Sequence, residues 1–186
     1  MLPPKAISVT KDGQPDDWLA PRGVRAQVAP DGTTRLVISV PSSELAEVHL
    51  ALLAALSEPI SFRYLQLTDR RTGQLPKPRN LVVMDVPLDR VRAALVARPE
   101  LVWHDGRHQL WLRGNFGEQV VLDELGVLYC YPDDPSFRDA LAGVPLGPAV
   151  GLDGRDYVKV NFLAEADLQE ASLVDALNLL EVGGGG

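Results

Sequence analysis

An α+β fold is predicted by three features of the sequence: a mostly antiparallel sheet, centred on a meander from Leu101 to Tyr131, packed by about four helices. Apolar and polar residues alternate in the middle of the chain. Ile60, Phe62 and Tyr64 against Ser61 and Arg63 give a strand one buried and one solvated face. Elsewhere apolar residues recur at helical spacing, as Leu45, Val48, Leu52 and Leu56 do. Clusters of Gly, Pro, Asp and Asn fall between these segments and set their ends.

Ile7 and Val9 open the pattern as a short strand, and Val24 to Ala29 and Thr34 to Val40 form a hairpin around Pro30, Asp31 and Gly32. Pro41 stops the second strand; Ser42 or Ser43 can cap a helix whose apolar stripe is widened by Leu50 and Leu53. The strand from Ile60 is expected to reach Thr68. A loop with Gly73, Pro76 and Pro78 spans Arg70 to Asn80, and Leu81 to Val86 is a short buried strand. A second helix starts at Pro87, buries Leu88, Val91 and Leu95, and ends at Pro99.

The meander follows as Leu101 to His104, Arg107 to Leu112, Gln119 to Leu122 and Val127 to Tyr131, turning at Asp105-Gly106, Gly114 to Gly117 and Asp123 to Gly126. Asp134 and Pro135 read as the cap and first residue of a short helix through Phe137 and Leu141, closed by Gly143. After a Gly/Pro-rich stretch to Gly154, a strand at Tyr157 to Phe162 precedes the last helix. That helix has capping-box-like spacing at Asp167 and Glu170 and an apolar stripe of Leu173, Val174, Leu177 and Leu180, and the fold is expected to end there. Residues 1–182 read as one composite domain, with possible sub-units 1–86 and 87–182, and 183–186 as a flexible glycine tail.

A chain of 186 residues buries roughly 70% of its unfolded surface, so its core needs no staples. The single cysteine, Cys130, rules out an intrachain disulfide framework. A formal charge of −7 repels phosphate backbones, which points away from nucleic acid. The N-terminal residues lack the apolar core of a signal peptide, and the longest apolar stretch, around Leu50 to Leu56, is too short to span a bilayer. A cytoplasmic protein without membrane contact is the expectation.

No chemical constellation is compelling. His104 and His108 are spaced for metal ligation only on a helix, and a hairpin through Asp105-Gly106 puts them on opposite faces, with His108 beside Trp103. His49 is expected at the edge of the core. Asp133 and Asp134 could split their pKa values as a carboxylate pair, but Asp134 is better placed as a helix cap. The glycines at 143, 147, 151 and 154 lack a phosphate-binding signature, and Pro145 and Pro148 remove amide donors that phosphate binding would use. Neither a metal nor a cofactor is expected.

The expected function is therefore that of a non-catalytic module binding another protein. By analogy of class alone this suggests an antitoxin, an immunity protein or an acidic chaperone of bacteria. Carboxylates would steer a basic client, and Trp18, Trp111 or Phe116 would supply anchors. Charge marks the partner surface: Arg70, Arg71, Lys77 and Arg79 in a basic middle that also holds Arg63 and Arg113, and Glu170 and Asp175 in an acidic last helix. Two alternatives stand beside this. A small enzyme would use a cleft near Tyr129, Tyr131 and Asp133, with His108. A conjugated protein would use Gly185 and Gly186; the strand-strand-helix-strand order of Val24 to Thr68 and the diglycine end resemble, in part, the ubiquitin-like β-grasp proteins.

Overall fold

The structure, a computed structural model, describes residues 2–15, 20–29, 31–69, 78–149, 156–159 and 164–183. In chain order the elements are β1 (Ala6–Val9), β2 (Gly23–Val28), β3 (Thr34–Ser39), α1 (Ser42–Leu53), β4 (Ile60–Gln66), β5 (Arg79–Val86), α2 (Leu88–Val96) and α3 (Pro99–His104). They continue as β6 (His108–Arg113), β7 (Gln119–Leu122), β8 (Leu128–Tyr131), α4 (Pro135–Ala140), β9 (Gly147–Pro148), β10 (Asp156–Lys159), α5 (Ala164–Leu177) and β11 (Leu180–Val182).

Alternation decides which face of each strand is buried, and the buried faces line up in one sheet. Its nine strands run in the order β11-β5-β4-β6-β7-β8-β3-β2-β9, and a separate two-stranded sheet joins β1 to β10. Neighbours in the large sheet are antiparallel except β2 and β9. The meander β6-β7-β8 is inserted between the hairpins β2-β3 and β4-β5, and α1 bridges the gap by crossing over β7. Strands from both halves of the chain pair with each other, β3 with β8 and β5 with β11. At Gly23 an added Cβ would sit 2.6 Å from the Ala149 backbone, so the close approach of β9 to β2 requires glycine.

The core lies between one face of this sheet and the helices. Leu36, Ile38, Phe62, Leu110, Leu112, Leu122 and Leu128 from the sheet meet Leu45, Leu52, Val91, Leu95, Leu101, Leu173 and Leu177 from the helices.

Several expectations are corrected. Leu101 to His104 belongs to helix α3, which brings the helices among the described residues to five, with Pro99 in its first turn rather than at the end of the previous helix. Leu101, Val102 and Trp103 are all buried, and three consecutive apolar residues carry no period that separates strand from helix. The meander therefore begins at β6. Neither serine caps α1: Pro41 occupies that position, and the amide of Glu44 donates to its carbonyl at 2.9 Å. Leu180 does not belong to the last helix either. Asn178, with φ of 54°, closes α5; its amide bonds Asp175 O at 3.2 Å and that of Leu179 bonds Val174 O at 2.9 Å, a Schellman motif that turns the chain back into β11. The β-grasp order fails in space, since β8, β7 and β6 separate β3 from β4.

The Asp134 cap forms, its carboxylate accepting from Ser136 N at 2.8 Å. Pro30, residues 160–162 of the expected late strand, and the glycines at 151 and 154 lie outside the described residues.

One polar pair sits inside this packing. Arg107 is 1% exposed; its Nε lies 2.9 and 3.0 Å from the two carboxylate oxygens of Asp105, itself fully buried, and its Nη1 donates to Asp167 of α5 at 2.9 Å. Burial works against the Arg107 charge, and the Asp105 carboxylate outweighs it, so the guanidinium is held protonated. Removing Asp105 leaves the buried guanidinium with only the half-exposed Asp167 as a carboxylate partner, so Asp105→Ala should lower unfolding free energy in urea by about 3 kcal/mol, with part recovered in the D105A/R107M double variant. A loss below about 1 kcal/mol, the range of exposed pairs, would show that the pair is dispensable.

Candidate functional site

The helices cover only one face of the sheet, and the strand period puts a second set of side chains on the other. On β4 these are Ser61, Arg63 and Leu65, and on β6 Gln109, Trp111 and Arg113. Across β7, β8 and β3 the register continues the face through Gln119 and Val121, Tyr129 and Tyr131, then Arg35 and Val37. On the far side Val82 and Met84 belong to it, and the pairing of Leu180 with Val82 adds β11. A bulge in β5, which sets Met84 and Asp85 against Ser61 and gives Asp85 a φ of 55°, leaves Met84 63% exposed. Phe116, at the β6-β7 turn, is 88% exposed.

The arginines of this face are held by neutral groups. Arg35 lies 4.5 Å from the centre of the Tyr129 ring and 5.5 Å from that of Tyr131, and donates to Gln27 Oε1 at 2.9 and 3.1 Å and to the Tyr131 hydroxyl. Arg63 sits 5.5 Å over Trp111 and donates to Asn80 Oδ1 at 2.8 Å. Among the described residues Arg35, Arg63 and Arg113 make no salt bridge, whereas Arg22, Arg79, Arg107 and Arg138 pair with Glu44, Glu181, Asp105 and Asp133. Two open depressions, of about 500 and 460 Å³, meet at Trp111, Arg113 and Gln119. One extends to Arg35 and Tyr131, the other to Arg63, Val82 and Met84.

The residues marked in the sequence separate accordingly. Trp111 and Phe116 lie on or beside this face. Arg79 is tied to Glu181 at 2.8 Å, and Glu170 is turned inward, accepting from the Tyr64 hydroxyl at 2.6 Å and from Gln66 at 3.0 Å. Asp175 is exposed on α5. Arg70, Arg71, Lys77, Trp18, Gly185 and Gly186 lie outside the described residues. The sequence reading passed over Arg35 and Met84. Arg35 could have been found from the hairpin register, which sets it opposite Gln27 on the face of Val37.

The enzyme residues do not converge. Tyr129 and Tyr131 are on the open face, Asp133 holds Arg138 at 2.7 Å, and His108 points into the core on the other face. His108 stacks on Tyr64, with centroids 4.7 Å apart, rather than on Trp103, because Trp103 belongs to a helix. Trp103 instead donates to His49 Nδ1 at 3.2 Å, and His49 is fully buried rather than at the core edge; burial pushes its pKa down to about 3. His104 Nδ1 is 2.6 Å from Pro3 O. Among the described residues no group of three or more His, Cys, Asp or Glu side chains is placed to hold a metal, and no helix is long and apolar enough to cross a membrane.

Sequence reasoning also missed Lys5, a lone lysine in a Pro/Ala context with no periodic signal. Its ammonium is buried at the end of α3, 2.6 Å from Asp105 O, 3.3 Å from Val102 O and 3.4 Å from His108 Nε2. Burial pushes its pKa from 10.5 down to about 8, against the pull of Asp105, Asp123 and Glu124. The unfolded chain therefore binds more protons than the folded one between about pH 8 and 10.5, and stability from this group rises with pH across that window. Comparing wild type with Lys5→Met in urea at each pH isolates the effect. The difference should shift in favour of wild type by about 3 kcal/mol over the window; a flat difference would show that Lys5 titrates normally.

Comparison with protein-family models, curated proteins and solved structures gives no match.

Proposed function

We propose that the protein is a binding module that captures another protein on the helix-free face of its large sheet. The observation that carries this is the surface just described: Met84 and Phe116 exposed and Trp111 half-buried beside arginines that have no carboxylate partner among the described residues. Aromatic, Met and Arg side chains are the residues enriched at protein interfaces, and a sheet presents them without much ordering on binding.

Site-specific photo-crosslinking tests the reading. A photoreactive phenylalanine analogue at position 116 should give a discrete protein adduct in the native host, and Trp111→Ala in the same chain should reduce its yield several-fold, since hot-spot truncation removes about 2 kcal/mol or more. The same analogue at Val96, which is 53% exposed on α2 in the helical layer, serves as control. Equal adducts at both positions, or a yield indifferent to Trp111, would refute the assignment.

A further inference from the structure

We infer that the partner presents an extended acidic segment bearing apolar side chains, laid across the strands of the open face; this rests on the reading of that face as a protein-binding surface.

Three observations lead there. The first is charge. In a chain of net −7, Arg35, Arg63 and Arg113 share one face, and among the described residues none of them is in an ion pair. Of the nearby carboxylates, Glu118 and Glu124 accept from Ser57 N and, at 2.6 Å, from Gln109, and Asp31, which accepts from Thr33 N at 2.9 Å, lines the first depression; each keeps its charge. Asp85 lines the second, beside Met84, so the three arginines outnumber the two carboxylates that line the depressions.

The second is preorganisation. Ring faces and neutral oxygens fix Arg35 and Arg63 without neutralising them, so an incoming carboxylate meets oriented donors. The third is shape. The two depressions share Trp111 and Arg113 and run from β5 to β3, five strand intervals or roughly 24 Å at about 4.8 Å each, the span of about seven residues of extended chain. Trp111 and Met84 offer apolar contact along that path. Single-stranded RNA is held on successive stacked rings, whereas Tyr129 lies under Arg35 and Trp111 under Arg63, which leaves Phe116 as the exposed ring beside this face.

Synthetic probes decide the matter. By fluorescence anisotropy, a labelled nine-residue peptide of repeating Asp-Asp-Phe should bind, while its Lys-Lys-Phe counterpart and a nine-nucleotide oligouridylate should not. R63Q/R113Q should weaken the acidic peptide about tenfold and R63K/R113K should weaken it less, with unchanged thermal unfolding showing that both variants are folded. Raising salt from about 50 to about 300 mM should weaken it further. Preference for the basic peptide or the oligouridylate, or binding of no probe, would overturn the inference. A face that still gives a Trp111-dependent crosslink while ignoring the acidic peptide would leave the binding reading intact and remove only this one.

Discussion

The buried pair of Arg107 and Asp105 is the constraint on which the arrangement of layers depends. Asp105 ends α3 and takes both the amide of Arg107, at 2.9 Å, and its guanidinium, so the turn into β6 has one geometry. The carbonyl of Arg107 accepts from Leu67 N at 2.7 Å and Thr68 N at 3.2 Å, which fixes the end of β4, and its Nη1 reaches α5 through Asp167. Glu170, three residues on, takes Tyr64 and Gln66 of β4. Apolar packing alone would tolerate α5 sliding along the sheet; these directional bonds select one register. That register also brings the Schellman turn at Asn178 to the place where β11 can add to β5.

The network fixes α3 and α5, and the shared apolar core gathers α1, α2 and α4 on the same side, which determines what the opposite face can be. Side chains there are held by cross-strand neighbours rather than by a second layer. Val37 and Val121, at its centre, are 2% and 3% exposed, so the floor is shielded while Trp111, Arg113 and Met84 remain accessible. A surface of that kind is stiff below and interactive above, the combination that lets binding proceed without a large ordering penalty.

The sequence revealed the strands well because period two is a direct record of one-sided burial: β4, β6, β7 and β8 follow from alternation and turn residues alone. It misread α3, where Leu101 to Trp103 are apolar without a period, and it ended the fold before β11, because three residues after a helix carry too little pattern to register. Trp111 and Phe116 were legible as candidate aromatic anchors. Their setting was not, because which arginine lies over which ring depends on strand order, and the insertion of β6-β7-β8 between two hairpins is a non-local fact. Lys5 and Arg107 show the same limit from the other side: a charge is assigned to the surface by default, and only distant partners such as Asp167 reveal it as interior.

Net charge does not describe the charge of any one face, for a related reason. At physiological ionic strength a charge is felt over about 8 Å, less than the thickness of a sheet with its layer of helices. The potential over the open face is therefore set by Arg35, Arg63 and Arg113 with Asp31 and Asp85, and hardly at all by Glu165 or Asp175 on α5. The formal −7 governs solubility and long-range encounter at low salt. Around the two depressions the balance is three arginines against two aspartates, positive in a chain whose sum is negative.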